Sequence, residues 1–329
     1  MAQNQRHPNV LVLESKALLG NPLGDPTTRS TWVYTPPGYR GEPLVALLAL
    51  AGFTGNGPML FNQDPLGESL SDRLDRLILT GACPPCLLVA PDCFTRMGGN
   101  QYIDSPSTGP YASHLVQEVI PAVEASYPVK KWGVFGKSSG GYGAIVLSML
   151  YPNVFQAAAN HSGDANFELC YLPDALETLD QVRSAGGAQA WLTRYWASSQ
   201  RRTAKQIKTL GFLAMAAHYS PNRESADGFD LPFSLDTGQF RPEVWARWQA
   251  WDPVSMVSRY GDALRSLKLL FVDVGVQDEY GLHWGARALS SALNKHGVSH
   301  LYEEFVDGHM NIPYRFERSI PLLVDALVA

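Results

Sequence analysis

The chain has 329 residues, 45% hydrophobic and 17% charged, which is enough apolar material for a large core and too little charge for a disordered chain. Its formal net charge of −5 offers no basic face to meet phosphates, so nucleic acid is not an expected partner. No run approaches the ~18 uninterrupted apolar residues of a membrane span, and the opening "MAQNQRHPNV" lacks the apolar core of a signal peptide. These features lead us to expect a cytoplasmic protein with no membrane span and leave the oligomeric state open.

In chain order, the first half alternates β-rich runs with helical patterns. "NVLVLESKALL" (9–19) and "STWVYTPPGY" (30–39) read as strands, the second stopped by Pro36-Pro37-Gly38, and "LVALLALAG" (44–52) is a continuous apolar strand. A helix is expected near 66–80 with Leu66, Leu70, Leu74 and Leu77 on one side. Strand "CLLVAPD" (86–92) and a helix over 111–126 bearing Leu115, Val119, Ile120 and Val123 come next. Strand "KWGVFG" (131–136), a helix over 139–151 and strand "FQAAANHSG" (155–163) complete this half.

From about 164 to 262 the pattern turns helical and aromatic-rich, with Trp191, Tyr195, Trp196, Phe212, Trp245 and Trp248 among its rings. Strand–helix alternation then returns with "LKLLFVDVG" (267–275), a helix near 283–296, strand "HLYEEFV" (300–306) and a last helix near 315–328. Near-continuous apolar strands alternating with helices predict an α/β fold with a mostly parallel sheet covered on both faces. We therefore expect a single domain over 1–329, with the helical insertion of about 164–262 forming a cap over the carboxyl ends of the strands.

Cys83, Cys86, Cys93 and Cys170 are the four cysteines. "CPPC" (83–86) has redox spacing, but it precedes a strand instead of opening a helix that would stabilise a thiolate. With no second CxxC or CxxH there is no zinc pattern either. Loop cysteines, disulfide-linked or free, are the expectation; no metal or other cofactor is expected.

"VFGKSSGGYG" (134–143) decides the chemistry. A phosphate-binding loop would need glycine at 131, where Lys131 stands. Gly136-Lys137-Ser138-Ser139-Gly140 instead fits G-x-S-x-G, a sharp strand-to-helix turn in which small residues two before and two after the serine let backbones approach. Ser138 has both flanking glycines and Ser139 does not, so Ser138 is the expected nucleophile. Ser139 would offer its backbone N–H to an oxyanion hole, and Lys137 reads as a surface or supporting side chain.

A serine hydroxyl needs a base, and the base an orienting acid. On such a sheet the order is Ser, then acid, then His. "VQDEYG" after strand 267–275 gives Asp278, with Glu279 and Asp164 as alternatives; "DGHMNIPYR" after the last strand gives His309. The other seven histidines lack that order and position. The turn "AGFTGNGP" (51–58) offers the Phe53 N–H as the second oxyanion donor. The helix "FLAMAAHYS" (212–220) brings Phe212, Met215 and Tyr219 to helical spacing, with His218 beside them. It is expected either to line the substrate pocket or to face the cap's own core. His161, after strand 155–160, is expected to border the site.

Together these pieces resemble the α/β-hydrolase "putative esterase" family, which includes esterase D, S-formylglutathione hydrolases, enterobactin esterases and mycolyltransferases. "WVYTPPGY", "AGFTGN", "VAPD…GGNQYIDSPSTGPY", "GKSSGGYGA", "VGVQDEY" and "DGHMNIPYR" are similar to the family's segments in order along most of the chain. The resemblance implies a serine hydrolase of small-molecule carboxylic esters acting through an acyl-enzyme. It implies Ser138 as nucleophile, Asp278 as acid, His309 as base, and Phe53 and Ser139 as oxyanion donors. An acyltransferase or a thioesterase would use the same triad; a hydrolase-fold binding module without catalysis would not need it intact. Ala51 stands where many members have histidine, and the insertion is longer than in compact members, so the resemblance does not name the ester.

Overall fold

The computed structural model describes residues 8–62 and 67–329. Its strands are β1 (Asn9–Glu14), β2 (Thr28–Tyr34), β3 (Leu44–Leu50), β4 (Cys86–Pro91), β5 (Asp104–Ser105), β6 (Gly109–Pro110), β7 (Val129–Lys137), β8 (Phe155–His161), β9 (Leu269–Gly275) and β10 (Leu301–Phe305). Eight of them form one sheet in the order β1-β2-β4-β3-β7-β8-β9-β10, while β5 and β6 make a small hairpin. β2 runs against both its neighbours; every pairing from β4 to β10 is parallel. The carboxyl ends of β3, β7, β8, β9 and β10 therefore share one edge of the sheet.

The sheet is buried on both faces, as its near-continuous apolar strands require. Along β3, Val45, Leu47 and Ala49 enter one apolar cluster and Ala46, Leu48 and Leu50 the other, the period of two of a pleated strand. The first cluster is closed by α1 (Leu70–Leu79) and α12 (Phe316–Val328), through Leu70, Leu74, Leu77, Phe316, Ile320 and Leu323. Each such side chain contributes about 1.5–3 kcal/mol on burial. Leu66, expected on the same helix face, lies outside the described residues, and α1 starts at Leu70 behind a Ser69 cap that accepts from Asp72 N.

The opposite face carries α2 (Tyr111–His114), α3 (Ile120–Ser126) and α4 (Ser139–Leu150). The expected helix over 111–126 is interrupted by a π-turn at Leu115–Val119. Pro121, just after Ile120, cannot donate into the preceding turn, which fits the wider local winding there. α4 is buried from Ser139 to Met149, apolar all round because the sheet lies on one side and further helices on the other.

The expected insertion contains α5 (Phe167–Cys170), α6 (Ala175–Ala185), α7 (Ala188–Ala197), α8 (Ala204–Tyr219), α9 (Pro242–Gln249) and α10 (Pro253–Arg265). α10 packs against α4 and against α11 (Leu282–Lys295), beside the sheet. α8 is opened by a Thr203–Gln206 capping box, and its second half is buried. Rings of Tyr142, Phe167, Tyr171, Phe212, Tyr219 and Trp248 join into one aromatic cluster between α4 and these helices. Among the described residues, no helix is long and apolar enough to cross a membrane.

No disulfide joins the cysteines: all four are free, with Cys83, Cys86 and Cys93 buried. The Cys86 thiol is pushed well up by its hydrogen bond with Cys83 and by burial, the reverse of what a redox thiolate needs.

His218 shows what burial does to a titratable group here. Its Nδ1–H donates to Ala214 O (2.7 Å) and its Nε2 accepts from Gln101 N (3.4 Å), a pairing that only the neutral ring satisfies. Desolvation pulls its pKa down to about 4, against the weaker opposite pull of the Ala214 bond. The unfolded chain then takes up the proton first. The stability His218 allows is complete above its ordinary 6.5, is lost as pH falls toward about 4, and changes no further below that. We expect wild type to lose on the order of 2 kcal/mol relative to His218→Gln between pH 7 and pH 5. Urea unfolding of both proteins at the two pH values measures this; a gap that does not move with pH contradicts it.

Candidate active site

The turn from β7 into α4 is as tight as its glycines suggest. A Cβ on Gly140 would sit 2.1 Å from Leu50 O, and one on Gly136 would sit 2.5 Å from Gly140 O. Ser138 has φ 59° and ψ −128°, a strained conformation for a non-glycine residue. Its N–H is tied to His161 O (2.9 Å). β3, β7 and the first turn of α4 thus meet backbone to backbone, which presents Ser138 at the sheet edge.

The loops after β9 and β10 close on each other. His309 Nδ1 is bonded to Asp278 Oδ2 at 2.7 Å, and both residues are buried. Asp278 Oδ1 accepts from Tyr280 N (2.9 Å), and the Tyr280 ring packs edge-on to the imidazole. Glu279 is not on the ring: its Oε2 accepts from the backbone N–H of His309 (2.5 Å). Two successive carboxylates of one loop therefore hold the ring and the main chain of the same histidine. Among the described residues, His309 Nε2 and Ser138 Oγ have no hydrogen-bond partner, and both residues line one cavity of about 330 Å³.

Phe53 follows β3. Thr54 N is committed to Gly98 O and Gly55 N to Gly52 O (2.9 Å each), which leaves the Phe53 N–H without a partner among the described residues. The Phe53 ring lies against Gly98, Gly99 and Gly211 of α8; a Cβ on Gly99 would stand 2.4 Å from its Cδ2. Where a histidine was missing from the family pattern, Tyr102 donates its hydroxyl to Ala51 O (2.6 Å) and steadies the same loop. Nothing in the local sequence around Ala51 announces that partner, because it comes from a loop some fifty residues on.

The cavity is lined by Phe53, Ser138, Ser139, His309 and, from α8, Phe212 and Met215, with Ile207, Tyr171, Tyr280 and Met310 completing its apolar walls. His218 and Tyr219 do not reach it. They are 2% and 1% exposed and turn into the aromatic cluster and toward Gln101, because the second half of α8 is buried all round and only one side of it meets the cavity. His161 does not border it either. It is fully buried behind the sheet edge, its Nδ1 on Asp273 Oδ1 (2.6 Å) and its Nε2 on Ser319 Oγ (2.7 Å), while Arg315 Nε donates to Asp273 Oδ2 (2.8 Å).

Asp164 is in the cavity but nowhere bonded to His309. Its Oδ2 accepts from Tyr171 OH (3.0 Å), Ser139 Oγ (3.2 Å) and Gln101 Nε2 (3.4 Å), and burial raises its pKa against those bonds. Lys137 also lines the cavity. Desolvation lowers its pKa, opposed by the charges of Asp278, Glu279 and Asp164. No group of three or more His, Cys, Asp or Glu residues able to hold a metal occurs among the described residues.

The family model "Putative esterase" matches residues 27–314. No curated sequence matches the chain. Among solved structures, a ferulic acid esterase is similar at TM-score 0.62 and 17% identity, covering 97% of this chain and 99% of that one. An S-formylglutathione hydrolase from Agrobacterium tumefaciens follows at 0.58 and 16%, covering 99% of both chains. An enterobactin esterase from Shigella flexneri stands at 0.52 and 15%, covering 99% of this chain and 59% of that one. These likenesses show the α/β-hydrolase fold, and the match over most of the length shows that the chain belongs to the putative esterase family, as a carboxylic-ester hydrolase.

Proposed function

We propose that Ser138, His309 and Asp278 carry out this ester hydrolysis through an acyl-enzyme. The observation that supports it best is the imidazole itself: Asp278 holds its Nδ1, and its Nε2 is left unpartnered in the cavity that also contains the unpartnered Ser138 hydroxyl. Nucleophile–base bonds are often long in the free enzyme and tighten on substrate.

In this reading His309 Nε2 takes the Ser138 proton as Oγ attacks the carbonyl carbon. The tetrahedral oxyanion is met by the N–H groups of Phe53 and Ser139, the second at the start of α4, where helix N–H groups are unpaired and the dipole favours negative charge. His309 then gives the proton to the leaving alcohol and the acyl-enzyme forms. Water, deprotonated by His309, attacks the acyl carbon and returns Ser138. Asp278 keeps Nδ1 protonated and stabilises the transient imidazolium. Residues 1–329 serve as one hydrolase domain, with the helices from α5 to α9 as its cap.

A fluorophosphonate should add a single label, on the peptide carrying Ser138. Ser138→Ala should stay folded, because its Oγ holds nothing, yet lose kcat on the order of 10⁶-fold; mass spectrometry and p-nitrophenyl acetate turnover read the two outcomes. A label on Ser139 would remove the assignment.

Asp278→Asn should keep the fold and lower kcat on the order of 10⁴-fold by favouring the wrong tautomer. Near-normal turnover in Asp278→Asn, with Glu279→Gln or Asp164→Asn dead, would move the acid elsewhere.

Phe212 and Met215 belong to the α8 wall of the cavity. Each methylene added to the acyl chain should improve kcat/KM by up to ~0.8 kcal/mol until the cavity is full. Met215→Ala should extend the preferred chain length more than it lowers Tm. A flat profile across p-nitrophenyl acetate to decanoate speaks against this wall.

A further inference from the structure

We propose that Asp164 is a substrate-reading residue, and that the esters this enzyme prefers carry a hydroxyl group close to the scissile bond, placed to donate to Asp164 Oδ1. The inference rests on the reading of Ser138 as nucleophile.

The observation is an asymmetry between the two oxygens of one carboxyl group. Oδ2 accepts from three donors supplied by separate parts of the chain: Gln101 Nε2, Ser139 Oγ and Tyr171 OH. Oδ1 has no hydrogen-bond partner among the described residues, yet it is not sealed off. The residue is 6% exposed, and that exposure belongs to the cavity it lines together with Ser138 and His309. A carboxylate held this firmly on one side cannot swing to satisfy the other oxygen elsewhere. A carboxylate oxygen fixed in place and open to the cavity is an acceptor that a donor on a bound molecule can reach.

The surroundings narrow the donor's nature. The rest of the wall is largely apolar, from Phe53, Tyr171, Phe212, Met215 and Leu282, which suits a compact, mostly neutral molecule. Lys137 already supplies a cation to the cavity, so an ammonium on the substrate would meet like charge. A neutral hydroxyl meets the demand without that repulsion. Burial raises the Asp164 pKa, which fits a carboxyl group that gains by sharing a proton with a bound partner.

Position adds a kinetic consequence. Asp164 is hydrogen-bonded to the side chain of Ser139, whose N–H is one of the two oxyanion donors. An uncompensated carboxylate there opposes the negative charge of the tetrahedral intermediate; a hydroxyl bound to Oδ1 draws that charge away. The hydroxyl should therefore raise kcat as well as lower KM.

The test uses isosteric ester pairs on the purified full-length protein. They are p-nitrophenyl β-hydroxybutyrate against p-nitrophenyl isovalerate, and 2-hydroxyethyl butyrate against propyl butyrate. At least one pair should favour the hydroxylated member by about tenfold or more in kcat/KM, with part of the gain in kcat. In Asp164→Asn that ratio should fall at least about fivefold, because the open oxygen is exchanged for an amide or the three donors are disturbed. A ratio near one in every pair overturns the inference. So does a ratio that survives in Asp164→Asn, or an equal loss on both members of the pair, which is what a purely structural hold on Ser139 would give. If the Asn variant fails to fold, the wild-type ratios decide alone. Turnover of these esters without preference leaves the Ser138 reading standing; no turnover of any ester overturns both.

Discussion

The site depends on one steric condition, the contact of β3 with the turn between β7 and α4. Leu50 O occupies the space that a side chain on residue 140 would need, and Gly140 occupies the space needed by one on residue 136. Only with both side chains absent can β7 end and α4 begin within the width of a peptide group from β3. That closeness sets Ser138 at φ 59° and brings the end of β3 beside the first N–H groups of α4. Phe53, Ser138 and Ser139 can then face one cavity although Phe53 comes more than eighty positions before the two serines. The parallel order of β7, β8, β9 and β10 does the rest, since it returns each following loop to the same edge.

Electrostatics shapes the cavity in a second way. Asp278 and Glu279 are adjacent in sequence but act on different parts of His309, the ring and the main chain. Lys137, at the variable position of the serine motif, lines the same cavity: desolvation lowers its pKa, and the charges of Asp278, Glu279 and Asp164 oppose that.

Much of this was legible in the sequence because the signals were local or ordered. β3 is apolar at every position and could only be a strand buried on both faces; the Gly136–Ser138–Gly140 spacing carries its own steric reason; Asp278 and His309 follow from chain order. What was not legible depends on which side of an element meets what. The second half of α8 is almost wholly apolar, so periodicity could not say that Phe212 and Met215 face the cavity while His218 and Tyr219 face inward. His161 sits at a strand end, as a site residue would, but its side chain points to α12. The three donors on Asp164 come from residues 101, 139 and 171, a convergence that no local pattern encodes.

His161 carries one more lesson. Ser319, His161 and Asp273 make a serine–imidazole–carboxylate chain with contacts of 2.7 and 2.6 Å, and Arg315 braces its far end. A template match on interatomic distance alone would retrieve it ahead of the set at the sheet edge, whose serine and imidazole do not yet touch. Yet all three members are sealed from solvent, and every polar atom of that imidazole is already spoken for. It is a rivet that pins β8, β9 and α12 together. In this molecule the completed relay is a packing device, and the set proposed as catalytic is the one whose serine and imidazole are left open to the cavity.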